Sequence, residues 1–141
     1  NISFNSFSKN DSHVWEATHD GYKKKFKKII KRKLTIFDNK FLIIGEDSLI
    51  SLNSKEKNIL YNIRFHLTTN CNASLSTNKK SVLIKTKLNK SFIFKSSEKL
   101  SIEESIVVKN EKNIERTFQI VISGHTHYLK KIINWSLEKF Q

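Results

Sequence analysis

Two histidine-containing stretches hold residue types that could do chemistry. His19 and Asp20 are adjacent, and a carboxylate beside an imidazole can fix its tautomer for acid–base work or metal binding. Adjacent strand residues point to opposite faces, so this pair can cooperate only in a turn, which Gly21 favours. His125 and His127 have the spacing that puts two strand side chains on one face, but no third metal ligand is evident. A structural use of both stretches is favoured over catalysis.

Acidic residues provide the other candidates for catalytic or cation-binding groups. The segment GEDSL (45–49) holds two adjacent carboxylates, which are too few oxygen ligands for Ca²⁺, so neutralisation of a nearby basic strand is favoured. Glu104 shares strand parity with three apolar neighbours, and we therefore expect it to face inward and to need a partner. Arg116, across the next turn, is the predicted partner in a structural ion pair.

The segments that must position these residues show a hydrophobic pattern that repeats every two residues, as in β-strands. Apolar and polar residues alternate in YNIRFHL (61–67), SVLIKTKL (81–88), IEESIVV (102–108) and RTFQIVIS (116–123), and short polar turns separate such runs. Strands that each bury one face predict an all-β fold, an antiparallel β-sandwich. At 141 residues the chain is most simply one domain over residues 1–141.

The basic segment at residues 22–36 fits both the 3.6-residue period of a helix and the two-residue period of a strand. Its apolar residues fit a helix and a strand equally well, so the local pattern leaves both open. The surrounding hairpins favour a strand over residues 22–36, with a cationic helix as the alternative. In a strand, five odd-numbered lysines would form one solvated row that binds a polyanion by counterion release. This predicted row consists of Lys23, Lys25, Lys27, Lys31 and Lys33.

Composition limits the class of protein further. The formal net charge of +13 predicts attraction to acidic polysaccharides, nucleic acids or anionic lipid surfaces without choosing among them. One cysteine, Cys71, excludes an internal disulfide and argues against a cysteine-based metal site. No apolar run approaches the roughly 18 residues of a membrane span. The polar start without a methionine leads us to expect a chain that begins inside a longer protein.

The order of seven segments resembles the C-terminal part of heparinase II/III-like proteins. The resemblance implies a β-sandwich that follows an upstream α-helical toroid in a polysaccharide lyase, which cleaves uronic-acid-containing polysaccharides by β-elimination. It also makes His19, Asp20, Gly21 and Tyr22 a family motif turn and supports a strand for the basic segment. The seven segments, within about residues 14–137, are EATHDGYKKKF, KRKLTI, GEDSLI, IRFHL, IEESIVV, RTFQIVISG and INWSL.

The chain also departs from the family pattern. Lys27 and Ile30 stand where the pattern has glycine and histidine, and Thr68 and Thr69 stand where a histidine and a proline usually follow. The asparagine, tyrosine and histidine that such lyases use for chemistry belong to upstream segments without a counterpart here. We therefore expect no catalytic residue, no cofactor and no activity of this chain in isolation, although some relatives hold zinc.

These expectations combine into one predicted function and one alternative. The predicted function is the C-terminal sandwich of a lyase, supporting the toroid and lining a cleft for an anionic glycan. The alternative is a stand-alone cationic module, without catalysis, for acidic polysaccharide or for nucleic acid bound non-specifically. Few aromatic residues interleave with the lysines, which argues against base stacking. A periplasmic or secreted location is implied by the resemblance alone.

Overall fold

A computed structural model describes residues 1–53, 58–110, 113–126 and 129–140, and these residues form eleven strands and one helical turn. The prediction of an all-β antiparallel fold is confirmed. The elements are β1 (Ile2–Lys9), β2 (Ser12–His19), α1 (Lys23–Phe26), β3 (Lys28–Phe37), β4 (Leu42–Ser51), β5 (Ile59–His66), β6 (Cys71–Leu75), β7 (Ser81–Thr86), β8 (Ser91–Ser96), β9 (Leu100–Asn110), β10 (Asn113–Thr126) and β11 (Lys130–Phe140).

The chain divides into two compact units, and the first comprises Asn1–Leu60 and His125–Ser136. Its strands are hydrogen-bonded in the order β1-β2-β3-β4-β11. The pairing of β1, β2, β3 and β4 is antiparallel and regular, so residues of one parity in each strand share a face across the sheet. β1 lies at the edge, and all its side chains are exposed.

A buried carboxylate joins three strands of the first unit. Asp47 is 2% exposed and accepts hydrogen bonds from Arg32 Nε (2.6 Å), Arg32 Nη2 (2.9 Å) and Trp135 Nε1 (2.9 Å). Gly45 lies against the Trp135 indole, because a Cβ at Gly45 would come 2.0 Å from Trp135 Cε2. The acidic segment therefore neutralises a cation of the basic strand, as its sequence predicted.

The basic segment is a strand only from Lys28 onward, so the strand prediction is wrong for the residues before it. The residues Lys23–Phe26 form one helical turn, where Tyr22 and Phe26 contact at 6.0 Å between ring centroids, four residues apart. No β-branched residue occurs in this turn, whereas two isoleucines open the strand. Lys27 ends the turn in the left-handed region at φ 53°.

The second unit comprises Tyr61–Gly124 and Leu137–Gln141, described here through residue 140, and is itself a β-sandwich. One layer has the strand order β11-β8-β7-β6 and the other β5-β10-β9. The layers meet where Phe65 of β5 packs on Phe94 of β8, with ring centroids 4.8 Å apart. Ile120 and Ile122 of β10 and Val82 of β7 are fully buried and form its core.

The predicted buried ion pair of Glu104 and Arg116 is wrong, because both side chains are exposed and no ion pair joins these two described residues. Residues of the same strand parity are buried at one end of the hairpin, where Leu100 is 3% exposed. Farther along the same face, Ile106 and Val108 are 58% and 62% exposed. Other parts of the unit cover only one end of this face. Strand parity therefore identified the face correctly but did not determine which of its residues are buried.

Candidate polyanion-binding surface

The motif turn is built around a glycine that admits an imidazole. A Cβ at Gly21 would lie 2.3 Å from His19 Cε1, so the histidine ring occupies the space that a side chain would need. The same ring meets Tyr22 edge-on at 5.9 Å, and the Lys23 N–H donates to the Asp20 carbonyl oxygen at 2.9 Å. No hydrogen bond joins the His19 ring to the Asp20 carboxylate in the part of the chain described. This geometry explains the motif as a turn.

Positions 19 and 30, which both belong to the motif of the resemblance, are neighbours across β2 and β3 beside this turn. Ile30 lies directly opposite His19 in the pairing of β2 with β3, and opposite Leu49 in the pairing of β3 with β4. A histidine at position 30, which the resemblance implies, would stand beside His19 on one face. With isoleucine there, the pair offers a single imidazole.

The five lysines of the predicted row do not lie on one face. Lys31 and Lys33 share a face of β3, but Lys23 and Lys25 belong to the helical turn, and Lys27 adopts left-handed backbone angles. A helix rotates successive side chains by about 100° rather than the 180° of a strand, so the odd-numbered alternation fails before Lys28. The row interpretation is therefore wrong, although these lysines remain candidates for contact with a polyanion.

Two cations of the segment serve the fold. Lys28 is 6% exposed, and its Nζ donates to Ser51 Oγ at 3.0 Å, while Arg32 holds the buried carboxylate of Asp47. Both are even-numbered and lie on the face of β3 opposite Lys31 and Lys33. Lys31 pairs with Glu16 at 3.0 Å on the other face, where both side chains are partly exposed.

A cleft of about 590 Å³ opens on the face of β1, β2 and β3 that carries Lys33. Lys9 and Lys40 line it as well, together with Phe7 and Phe37. Sequence pattern alone did not reveal this group, because its members are distant in sequence, on β1 and β3 and in the turn after β3. Once the strands are paired, parity places them together, since Phe7 is opposite Val14 and Val14 is opposite Thr35.

The described ranges also bear on two other features, a metal centre and a membrane-spanning helix. Within these ranges, no group of three or more His, Cys, Asp or Glu could hold a metal ion. His127 of the candidate histidine pair lies outside the described residues. None of the described helical residues forms a helix long and apolar enough to cross a membrane.

The chain, with its antiparallel all-β sandwich fold, was compared with models of known protein families. Residues 3–136 match the family model described as heparinase II/III-like, C-terminal. This match spans nearly the whole sequence, so the chain belongs to that family. No curated protein sequence matches the chain.

Solved structures show the same fold. The heparan sulfate lyase HepC from Pedobacter heparinus is similar with a TM-score of 0.81 and 12% identity, over 99% of this chain and 22% of that one. A structure of heparinase III is similar with a TM-score of 0.79 and 12% identity, over 98% of this chain and 21% of that one. The chain thus spans about a fifth of the length of the solved proteins that it matches.

Proposed function

We propose that this chain is the C-terminal β-sandwich of a polysaccharide lyase that acts on uronic-acid-containing polysaccharide. In this role it packs against an upstream α-helical toroid and lines the glycan cleft. The family match over residues 3–136 carries the proposal. The solved proteins named as heparan sulfate lyase and heparinase III support it, since a region with this fold makes up about a fifth of each.

The chemistry of such a lyase defines what the chain contributes. In β-elimination a base takes the C5 proton of a uronate, the electron pair forms a C4–C5 double bond, and the C4–O bond breaks as the leaving oxygen gains a proton. Negative charge develops beside the uronate carboxylate, so nearby cations lower the barrier. The base and the acid belong to upstream segments in this proposal. This chain contributes cations that hold the polymer.

The charge distribution suits a polymer with regularly spaced negative groups. The formal net charge of +13 attracts any polyanion over roughly a Debye length, about 8 Å at physiological ionic strength. Two of its cations, Lys28 and Arg32, are committed to the fold, whereas Lys23, Lys25 and Lys27 are exposed. The exposed group remains available for electrostatic contact.

Retention on immobilised heparin tests the binding role. We expect the chain to be retained at physiological salt and to elute as salt rises, because bound counterions are released on association. Neutral dextran provides the control matrix and should retain nothing. Duplex DNA distinguishes the alternative, since equal affinity and an equal salt slope for DNA, heparin and alginate would favour a non-specific cationic module. Absence of retention on every acidic polysaccharide would contradict the proposal.

A further inference from the structure

The cleft on the β1-β2-β3 face has an uncharged floor and a mixed wall. Ser12 and Val14 of the middle strand are 9% and 4% exposed and form the floor. Phe7 stands on one side on β1, and Phe37 stands on the other on β3. Two strand spacings separate β1 from β3, about 10 Å, and a volume of about 590 Å³ lies in the range of small-ligand pockets.

Three lysines line this cleft, and although the described residues Glu16 and Glu46 lie opposite Lys33 in the strand pairing, neither forms an ion pair with it. Among the residues that the structure describes, no ion pair engages Lys9, Lys33 or Lys40. The Lys40 ammonium lies 4.9 Å from the centroid of the Phe37 ring, a cation–π contact that holds it at the rim. Asp11 is the single acidic residue among those lining the cleft, so the lining carries an excess of positive charge.

We propose that this cleft binds one acidic sugar unit, a pyranose ring that carries a carboxylate or a sulfate ester. The inference rests on the proposed function and specifies where the polysaccharide is held. The lysines form charge-assisted hydrogen bonds to the acidic group. The Asp11 carboxylate and the amides of Asn10 and Asn39 accept or donate hydrogen bonds to ring hydroxyls. The Phe7 ring covers the apolar C–H surface of the sugar.

This composition selects against simpler anions. Inorganic sulfate or phosphate would use the lysines but would leave Phe7, 46% exposed, without a role. A nucleic-acid phosphate backbone would use the lysines and the amides, but it presents no apolar ring surface to Phe7. A ring with hydroxyl groups and one acidic substituent uses the cations, the amides and the aromatic surface together.

Binding of defined hexasaccharides to the 141-residue chain tests the proposal by calorimetry. The probes are an unsulfated hexasaccharide of glucuronate and N-acetylglucosamine, its sulfated heparin counterpart, and neutral chitohexaose. We expect the Lys9→Gln/Lys33→Gln variant to weaken acidic hexasaccharide binding about tenfold or more. The Phe7→Ala variant should weaken it as well, with an unchanged salt dependence, because no charge is removed. Binding of the unsulfated probe assigns the site to the carboxylate, and binding of the sulfated probe alone assigns it to the sulfate ester.

The matched control is Lys85→Gln/Lys90→Gln, which removes the same charge from exposed positions of the second unit. We expect it to weaken binding less than about threefold, the effect of net charge alone. If the first variant fails to fold in a thermal melt, Lys9→Gln/Lys40→Gln replaces it, because both of those lysines are exposed.

The outcomes separate this inference from the proposed function. Equal weakening by the two lysine pairs, or no effect of Phe7→Ala, would overturn the cleft while heparin retention still supported the function. Hexasaccharide binding that depends on the cleft, without retention on long polymers, would support the cleft and contradict the function. Absence of both kinds of binding would overturn both.

Discussion

At the scale of single residues, the buried carboxylate of Asp47 is the main polar anchor of the first unit. It receives two hydrogen bonds from Arg32 and one from Trp135, so each of its oxygens has a donor. The guanidinium carbon of Arg32 also lies 5.8 Å from the Trp135 ring centroid. A buried charge is tolerated only with such partners, so the three residues depend on one another.

Replacing Arg32 with alanine should lower the free energy of unfolding by about 3 kcal/mol, because a buried carboxylate would keep only the indole donor. Denaturant unfolding measures the change. Lys31→Ala is the matched control on the same strand, since its pair with Glu16 is partly exposed and should contribute less than about 1 kcal/mol. Equal effects of the two substitutions would show that Asp47 does not depend on Arg32.

A buried hydroxyl gives a second prediction, for alkaline pH. Among the described residues Tyr61 Oη is buried without a hydrogen-bond partner, and burial raises the pKa of Tyr61 to about 12. The unfolded chain ionises this group near pH 10, where the folded chain still retains the proton. The unfolding free energy should therefore fall as pH rises from 10 to 12, since the folded state binds more protons in that window.

The Tyr61→Phe variant should lose this contribution to the pH dependence, and at neutral pH it should match or exceed the original stability. Tyr22→Phe, at an exposed position, is the control and should leave the curve unchanged. The difference between the curves of Tyr61→Phe and the unmodified chain isolates the contribution of Tyr61. Identical pH profiles for Tyr61→Phe and the unmodified chain would contradict the assignment.

At the scale of elements, the helical turn offers a reason for the glycine that the resemblance implies at position 27. Lys27 ends the turn at φ 53°, and its N–H donates to the Lys23 carbonyl oxygen at 3.1 Å. A side chain with a Cβ is strained in this region, and glycine is not. This chain therefore keeps the turn despite an unfavourable residue.

Lys27→Gly should stabilise the chain by about 0.5–1 kcal/mol, since relief of left-handed strain exceeds the added freedom of the unfolded chain. Lys25→Gly removes the same charge from inside the turn and should destabilise by about 0.5–1 kcal/mol. Thermal melts of both variants give the comparison. Destabilisation by both to the same extent would mean that the left-handed backbone carries no strain.

At the scale of the whole molecule, the proposed function gives this chain the role of holding the polymer, and the resemblance places the catalytic base and acid in upstream segments. We therefore expect no lyase activity from the isolated chain on heparan sulfate or alginate, followed by the ultraviolet absorbance of the unsaturated product. One of the lyases of known structure, assayed in parallel, is the positive control that shows the substrates can be cleaved. Turnover that disappears with His19→Ala would overturn this prediction, since it would place a catalytic group in the motif turn.

Much of the fold could be predicted from residue order. Alternation identified the strands, and the acidic segment 45–49 was assigned to a basic strand that it does pair with. The five-lysine row could not be predicted correctly, because both periods fitted the segment and the residues before Lys28 form a helical turn in which Tyr22 contacts Phe26. That residues 1–141 form a single domain stays a prediction, and so does the binding role of the lysines.

The sequence by itself determined the all-β class, the strand parity and the excess of positive charge, because these depend only on residue type and local period. Tertiary structure decided which parts of each face are covered. Glu104 and Leu100 share one face of β9, yet one is exposed and the other buried. It also assembled Lys9, Lys33 and Lys40 around one cleft. Burial and convergence depend on which strands become neighbours, and that pairing is fixed by long-range packing rather than by local pattern.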